Sequence, residues 1–230
     1  MTILIEAAVE SLDDALSAVD GGADRLELCL RLDLGGTTPD RELIESVLDR
    51  VDQPVLAMIR PRGGSFTYSA RELARMVADI AMASELGVAG VVLGVLDAEH
   101  RVDVAAMRTL MDAAGELPVT FHRAIDRTPD VLAALDAVAP LGVARVLTSG
   151  GAPTAREGTD TLAALVERAG DRLRIVAAGG VRAHNVREIV ERTGVSEVHA
   201  RCEGDAHRIR SIRNSLPRTR PAEGAPPGTA

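Results

Sequence analysis

The chain has 230 residues, of which 46% are hydrophobic and 26% charged, and its formal net charge at pH 7 is −8. This length and composition are typical of a globular protein with one large domain. The acidic balance argues against nucleic acid as a partner, and no apolar run reaches the roughly 18 residues that would predict a membrane span. Every basic side chain other than histidine is arginine, which excludes Schiff-base chemistry on a lysine.

Short β-type runs alternate along the chain with longer stretches of helical periodicity. The first segment, MTILIEAAVE, lacks a basic region and predicts a strand instead of a signal peptide, so we expect a cytoplasmic location. The predicted strands cover residues 3–9, 25–30, 54–60, 90–96, 118–123, 145–149, 174–178 and 197–200. The helical stretches cover residues 12–19, 41–51, 70–86, 104–114, 131–139, 161–169 and 186–193.

Eight strands that alternate with helices predict an α/β fold with a parallel sheet, and eight is the number that closes a barrel. We therefore predict a single (β/α)8 TIM-type barrel over residues 1–216. An open doubly wound sheet is the alternative, but it usually carries a glycine-rich turn after its first strand, where this chain has AVES at 8–11. Residues 217–230 are rich in proline and glycine and predict a disordered tail. The eighth helix is expected to be incomplete, with 208–216 supplying a short one.

Strand alternation predicts a polar barrel interior. In the second strand Leu26 and Leu28 would face the helices, which turns Glu27 and Cys29 inward. The same phasing places six ionisable residues inside the barrel or at its rim: Glu6, Glu27, Arg60, His122, Glu197 and His199. Burying an unpaired charge costs several kcal/mol. These groups must therefore pair with one another as an internal lattice, meet water, or hold a ligand.

The turn Arg60-Pro61-Arg62-Gly63-Gly64 directly follows the third strand. Two guanidinium groups on one rigid turn can form a fork for a carboxylate or phosphate, so Arg60 and Arg62 are candidate anion-binding residues. Arg60 is in strand phase and is also a catalytic candidate. The alternative is a solvated turn with one structural arginine.

Two more side chains are candidates for proton transfer. Glu27 would lie in the lumen, and His122 ends the fifth strand within a run that closes on Asp126. An imidazole at such a position can act as acid or base near neutral pH, although a lone strand histidine is often a hydrogen-bonded core group. Phe66 and Tyr68 follow the arginine turn, and such loop aromatics could cover a bound ligand.

Glycine-rich turns follow the sixth and seventh predicted strands. Ser149 begins the first of these turns, and Gly179 and Gly180 form the second. Barrel phosphate sites use the loops after strands seven and eight, so these three residues are candidates for binding an anion. The match is partial, because the segment after strand eight is not a small glycine turn.

Five ordered motifs together resemble the CutC family, over about residues 3–199. They are GADRLELC at 22–29, GGTTP at 35–39, IRPRGGSF at 59–66, VTFHRA at 119–124 and RVLTSG at 145–150. The resemblance implies a cytoplasmic barrel protein of copper homeostasis that binds Cu(I) through cysteine, and oligomers in some members. Cys29 is then the candidate metal ligand. Position 8, where the family commonly has a second cysteine, is alanine in this chain.

Two functions of different classes follow from these patterns. The resemblance implies a CutC-like protein of copper homeostasis with Cu(I) as its cofactor or partner. The polar lumen and the arginine turn instead favour a barrel enzyme that acts on a small anionic metabolite by acid/base chemistry. Neither hypothesis involves nucleic acid or a membrane, and a homo-oligomer is compatible with both.

Overall fold

The structure is a computed structural model that describes residues 2–217. Its eight strands are all parallel and form one closed barrel in the order β1 to β8. The strands are β1 Leu4–Val9, β2 Arg25–Leu28, β3 Val55–Met58, β4 Gly90–Leu93, β5 Val119–Phe121, β6 Arg145–Thr148, β7 Arg174–Ala177 and β8 Glu197–Arg201. Each lies within or beside a predicted strand, so the predicted (β/α)8 barrel is confirmed and the open sheet is excluded.

Within residues 2–217, eight α-helices surround the barrel. They are α1 Leu12–Asp20, α2 Arg41–Leu48, α3 Ala70–Leu86, α4 Val104–Ala114, α5 Val131–Val138, α6 Thr159–Ala169, α7 Val186–Thr193 and α8 Ala206–Ser215. The expectation of an incomplete eighth helix is corrected, because α8 has 10 residues and buries Ile209 and Ile212. The tail predicted for 217–230 lies, from residue 218 onward, outside the described residues.

The barrel has an outer core and a smaller inner one. Leu26 and Leu28 of β2 belong to the large cluster between the strands and the helices, as their alternation predicts. The opposite face of the strands contributes two small lumen clusters. Their members are Ala8, Cys29, Leu32, Leu56, Met58 and Val92 in one, and Leu147, Val176 and Ala178 in the other. The rest of the lumen is polar, with Glu6 and Glu27 both buried.

Local signals in the sequence set the helix ends. Ser69 caps α3 and forms a capping box with Glu72, which satisfies N–H groups at the start of this helix. Gly87 and Gly194 end α3 and α7 in the left-handed conformation that glycine adopts without strain. These stops return the chain to the amino end of the barrel, so every strand runs toward the same mouth.

Candidate functional site

A large open cavity lies at the mouth formed by the carboxyl ends of the strands. Its volume is about 1230 Å³. Residues from the ends of β2, β3, β5, β7 and β8 line it, including Glu27, Arg60, His122, Gly179, Gly180 and His199. In barrels of this type the carboxyl ends of the strands carry the functional site. The cavity therefore contains the position where a ligand would meet the polar lumen.

An ion-pair lattice lies in the lumen beneath this mouth. Glu6 accepts a hydrogen bond of 2.6 Å from Arg25 Nε and lies 2.8 Å from His199 Nδ1. Arg25 also donates to Glu197, 2.5 Å away, and Arg145 lies 3.7 Å from the same carboxylate. Burial raises the pKa of Glu6, but the hydrogen bond from His199 and the charge of Arg25 lower it to about 2. Glu6 is therefore a fixed anion of the lattice.

Glu27 lies beside this lattice but is not tied into it. Its side chain is buried and lines the cavity, and among residues 2–217 its Oε2 atom has no hydrogen-bond partner. Burial raises the pKa of Glu27 to about 7, against the opposing charges of His199 and Arg25. Although burial lowers the pKa of His199, the carboxylates of Glu27 and Glu6 raise it overall. Near neutral pH Glu27 can therefore gain or lose a proton beside an imidazole whose pKa is raised.

Glu6, Glu27 and His199 are also the one group in the described chain with metal-ligand spacing, because their donor atoms lie within 4.8 Å of one another. Oxygen and imidazole nitrogen suit harder cations than Cu(I), which prefers sulfur. Both Glu6 oxygens already contact positive or polar groups, one the Arg25 guanidinium and the other the His199 ring. In this arrangement Arg25 supplies the positive charge that a metal ion would bring.

The two cysteines lie in different parts of the packing. Cys29 belongs to the inner cluster with Ala8 and Met58, and its Sγ lies 3.6 Å from the Val9 carbonyl oxygen. Burial raises the pKa of the Cys29 thiol. Cys202 belongs to the outer core, and burial raises its pKa to about 12. Neither sulfur is therefore held as the thiolate that binds soft metals.

The two arginines of the turn after β3 point to different places. Arg60 is buried and its Nη1 donates to the carbonyls of Leu34 and Gly36 at 2.9 and 3.0 Å, while Nη2 donates to Gly64 at 3.0 Å. Arg62 donates to Glu72 at 2.5 Å and does not line the cavity. The structure thus brings Arg60 to the mouth without Arg62, and the guanidinium of Arg60 holds loops together.

His122 lies in an aromatic and cationic corner of the mouth. Its ring centroid is 4.9 Å from that of Phe66, and the Arg60 guanidinium lies 4.7 Å from the Phe66 centroid. Nδ1 accepts a hydrogen bond of 3.3 Å from the Ala124 backbone N–H, whereas Nε2 has no partner among the described atoms. Burial and the charge of Arg60 lower the pKa of His122 to about 3. His122 is therefore neutral at physiological pH.

The glycine turn after β6 already holds an anion that belongs to the chain. The backbone N–H groups of Ser149 and Gly151 donate to the Asp126 carboxylate at 3.0 Å, and Arg123 Nε donates to it at 2.8 Å. The Ser149 hydroxyl is used as well, because it contacts the Ala152 carbonyl and Arg123. Ser149 therefore lies near the mouth with its polar groups satisfied by protein.

The turn after β7 is open to the cavity. Gly179 and Gly180 line it with positive φ angles of 97° and 72°, and within residues 2–217 neither backbone N–H has a hydrogen-bond partner. A Cβ atom at Gly179 would lie 3.2 Å from the Arg123 guanidinium, so this glycine allows the arginine to pack against the backbone. Two free amides beside a guanidinium can bind an anion.

Sequence reasoning missed several residues of the site. Arg25 shares the strand phase of Glu27, so the same alternation could have found it. Arg127 and Arg201 are exposed and line the mouth without a hydrogen bond or ion pair to any described residue. No local pattern marks them, because their role depends on which loops meet at the mouth. Of the predicted aromatics, Phe66 lines the cavity and Tyr68 packs beneath Arg62.

These features define a class: a TIM-type barrel with an ionisable lumen that opens at the carboxyl ends of its strands. Thiamine phosphate pyrophosphorylase from Pyrococcus furiosus shares this fold, with a TM-score of 0.64 at 15% identity over 93% of this chain and 94% of that one. The CutC family profile matches residues 3–204, and the chain belongs to the CutC family.

Members of the family match most of the chain. A CutC family protein of Xanthomonas campestris pv. campestris (strain B100) is 46% identical over 200 residues, which are 87% of this chain and 83% of that protein. A crystal structure described provisionally as the copper homeostasis protein CutC from Streptococcus agalactiae is 37% identical, with a TM-score of 0.82 over 86% of this chain and 98% of that one. Between residues 2 and 217, none of the helices has the length and apolarity to cross a membrane.

Proposed function

We propose that this barrel is an enzyme that acts on a small anionic metabolite by acid/base chemistry, with Glu27 as the proton-transfer group. The observation that carries the proposal is a buried carboxyl group with an unpartnered oxygen at an open cavity. Its pKa of about 7 supports the assignment, because a general acid or base works best when both protonation states are populated.

The charge of the mouth supports an anionic ligand. Arg127 and Arg201 line it, and neither is neutralised by a partner among the described residues. The free amides of Gly179 and Gly180 lie on the same rim. Because unpaired guanidinium groups attract carboxylates and phosphates, a small ligand with such a group would be held above the lumen.

The hydrogen-bond partners of the remaining candidates support different roles for them. Three backbone carbonyls occupy Arg60, which supports a positioning role for it at the wall of the cavity. Arg62 and Ser149 are committed to protein partners. Their assignment as anion ligands stays a prediction, and the anion site that we propose relies on Arg127, Arg201 and the glycine turn after β7.

Thermal unfolding in the presence of anions tests this proposal. Inorganic phosphate, sulfate and a panel of phosphorylated and carboxylated metabolites are added to the wild type and to the Arg127→Ser/Arg201→Ser double variant. A ligand at 100 times its Kd stabilises by about 2.7 kcal/mol, which raises Tm by about 5 to 10 °C in a domain of this size. We expect such a shift for at least one anion with the wild type and its loss in the double variant.

A matched control separates the site from general charge effects. Arg108→Ser removes an exposed arginine on α4, a helix of the outer ring, and should leave the shift intact. If no anion stabilises the wild type more than the double variant, the mouth is not an anion site and the proposal fails.

Copper binding is the second candidate, because the relative from Streptococcus agalactiae is described in those terms. Cys29 and Met58 share one lumen cluster and offer one thiol and one thioether. However, Cys29 is fully buried with a raised thiol pKa, and position 8 beside it is Ala8. These residues do not fit a Cu(I) site as they stand, since the soft metal needs a thiolate.

A competition titration with a Cu(I) chelator tests the second candidate. We expect the wild type, Cys29→Ser and Cys202→Ser to show the same weak binding. Stoichiometric binding that competes with the chelator and disappears only in Cys29→Ser would favour the copper role over the enzyme.

We also propose that the protein is located in the cytoplasm. Both cysteines are free, as is usual in the reducing cytoplasm, and this supports a cytoplasmic location. The partner that we propose is the small anion itself, and self-association stays a prediction.

A further inference from the structure

The backbone fixes the tautomer of His122. Its Nδ1 accepts the Ala124 N–H, so in the neutral ring the proton resides on Nε2. A Cβ atom at Gly94 would lie only 2.6 Å from Nδ1 and 2.7 Å from Cε1, which shows that this edge of the ring packs against the backbone directly after β4. His122 lines the cavity, and its Nε2 atom is buried without a partner among the described atoms.

The surroundings of His122 also prevent it from acting as a base. Phe66 packs against the ring at a tilt and the Arg60 cation lies against Phe66, so burial and the charge of Arg60 disfavour a positive charge on the imidazole. The Nε2–H group is buried and has no partner within the described part of the chain. A buried unsatisfied donor costs about 1 to 3 kcal/mol. Such a donor is expected where a ligand oxygen completes the hydrogen bond.

We propose that His122 Nε2 donates a hydrogen bond to the carbonyl oxygen of a phosphate-bearing aldehyde or ketone, and that the reaction is proton transfer at the carbon beside that carbonyl. This inference rests on the proposed function and names its substrate class and reaction. The geometry that carries it is the placement of Glu27 at the end of β2 and of His122 after β5, on different sides of one cavity, with the phosphate-binding candidates Gly179 and Gly180 on its rim.

The step balances without any oxidant or cofactor. The Glu27 carboxylate takes the proton from the carbon next to the carbonyl and becomes a carboxylic acid. The electron pair of the broken C–H bond forms the C=C bond of an enolate, and the carbonyl π pair moves to the oxygen. His122 Nε2–H stabilises that oxygen as negative charge develops on it. Return of the proton from Glu27 to the same carbon gives back the substrate. Where that carbon carries a hydroxyl group, the isomer forms when the hydroxyl proton moves to the enolate oxygen and Glu27 returns its proton to the former carbonyl carbon.

A neutral imidazole suits this task better than a charged one. A donor that stays neutral stabilises the enolate without transferring its proton early, and its burial keeps it aligned before the reaction. His199 could not take the same part, because its Nδ1 contacts Glu6 and its pKa is raised. The two histidines therefore differ in role: His122 is a fixed donor, and His199 is a neighbour of the base with a raised pKa.

Calorimetric binding of two probes tests the inference. Phosphoglycolohydroxamate carries a phosphate and an enolate-like oxygen, whereas ethyl phosphate carries the phosphate alone. We expect the wild type to bind the hydroxamate at least about tenfold more tightly, the equivalent of about 1.4 kcal/mol for one hydrogen bond to a charged oxygen. His122→Phe should lose this preference and keep its affinity for ethyl phosphate, while His122→Gln, which retains an N–H donor, should keep part of it.

The outcomes separate this inference from the proposed function. If ethyl phosphate binds but the hydroxamate binds no more tightly, or if His122→Phe keeps the preference, the role of His122 is overturned and the anion site stands. If His122→Phe and His122→Gln lose the preference equally, the donor is not the cause and the inference also fails. If neither probe binds, the phosphate subsite is absent and the inference falls with it.

Discussion

The two sides of the barrel lumen place a histidine in opposite electrostatic surroundings. On the side of β1, β2 and β8, His199 contacts Glu6 and lies near Glu27, and its pKa is raised. On the side of β3 and β5, His122 faces Arg60 and Phe66, and its pKa is lowered to about 3. Both rings are well buried, so burial alone does not explain the difference.

The comparison shows that the neighbouring charges decide the direction in which each histidine pKa is shifted. Carboxylates beside His199 offset the cost of burying its cation, whereas a guanidinium near His122 adds to that cost. One lumen thereby holds an imidazole of raised pKa beside a titrating carboxyl group and a neutral imidazole with a free donor. The three predictions that follow either remove this contrast or measure it.

The largest effect on stability is expected from a substitution in the ion-pair lattice beside His199. Arg25 is buried between Glu6 and Glu197, and Arg25→Met removes the cation that these two lumen carboxylates share. Breaking a buried ion pair in this way costs about 3 to 5 kcal/mol. We expect a loss of that size in the free energy of unfolding, measured by urea denaturation at pH 7. Arg41→Met, which removes an exposed pair with Glu85 on the surface, serves as the control. A loss no larger than that of the control would show that the lattice is not stabilised by Arg25.

Glu27→Gln is expected to stabilise the protein at high pH, by a smaller amount than Arg25→Met destabilises it. Folded Glu27 keeps its proton up to pH about 7, whereas an ordinary glutamate ionises near 4.5. Between these values the folded state binds more protons than the unfolded state, so wild-type stability falls as pH rises. The free energy of unfolding of Glu27→Gln, measured against that of the wild type, should therefore rise by up to about 3 kcal/mol between pH 4 and pH 8.

Denaturation curves at several pH values measure that gain. Glu167→Gln, an exposed substitution on α6, is the control and should show no comparable pH dependence relative to the wild type. A constant difference between Glu27→Gln and the wild type from pH 4 to pH 8 would mean that Glu27 has an ordinary pKa and is a poor candidate for the acid/base role.

The smallest expected effect concerns the titration of His122, which we expect to be absent near neutral pH. In an NMR titration of the histidine rings, the His122 signals should not move between pH 5 and pH 8, because its pKa is about 3. Their nitrogen shifts should report the Nε2–H tautomer that the Ala124 contact requires. His199 should titrate above the ordinary value of 6.5. His122→Gln and His199→Gln assign the signals. Similar titration midpoints for the two rings would show that their pKa values do not differ as proposed.

Much of the fold followed from repeating local signals. Strand alternation with helices predicted the closed barrel, and the inward phase of Glu6, Glu27 and His199 is confirmed by their burial or contacts in the lumen. The eighth helix was underestimated, because 206–215 has few apolar residues and only its contacts reveal Ile209 and Ile212 as the buried face. Weak amphipathic signals become clear only when a neighbouring surface defines the inside.

The candidate site was predicted less well than the fold. Arg60 and Arg62 lie two residues apart and suggested one anion fork, yet Arg60 bonds to loop carbonyls and Arg62 bonds to Glu72. Side chains two positions apart in a turn can diverge, and the sequence does not show which loop will meet them. Ser149 likewise follows a glycine turn whose amides are taken by Asp126.

The sequence by itself determined the barrel, its CutC motifs, and which strand residues turn toward the lumen, because each depends on spacing within one element or on one segment. Tertiary structure decided the chemistry of those residues. Glu6, Glu27 and His199 come from strands up to 193 residues apart along the chain, and their charges depend on distances that only the closed barrel creates. Electrostatic energy depends on separation and burial, and neither quantity is local in sequence.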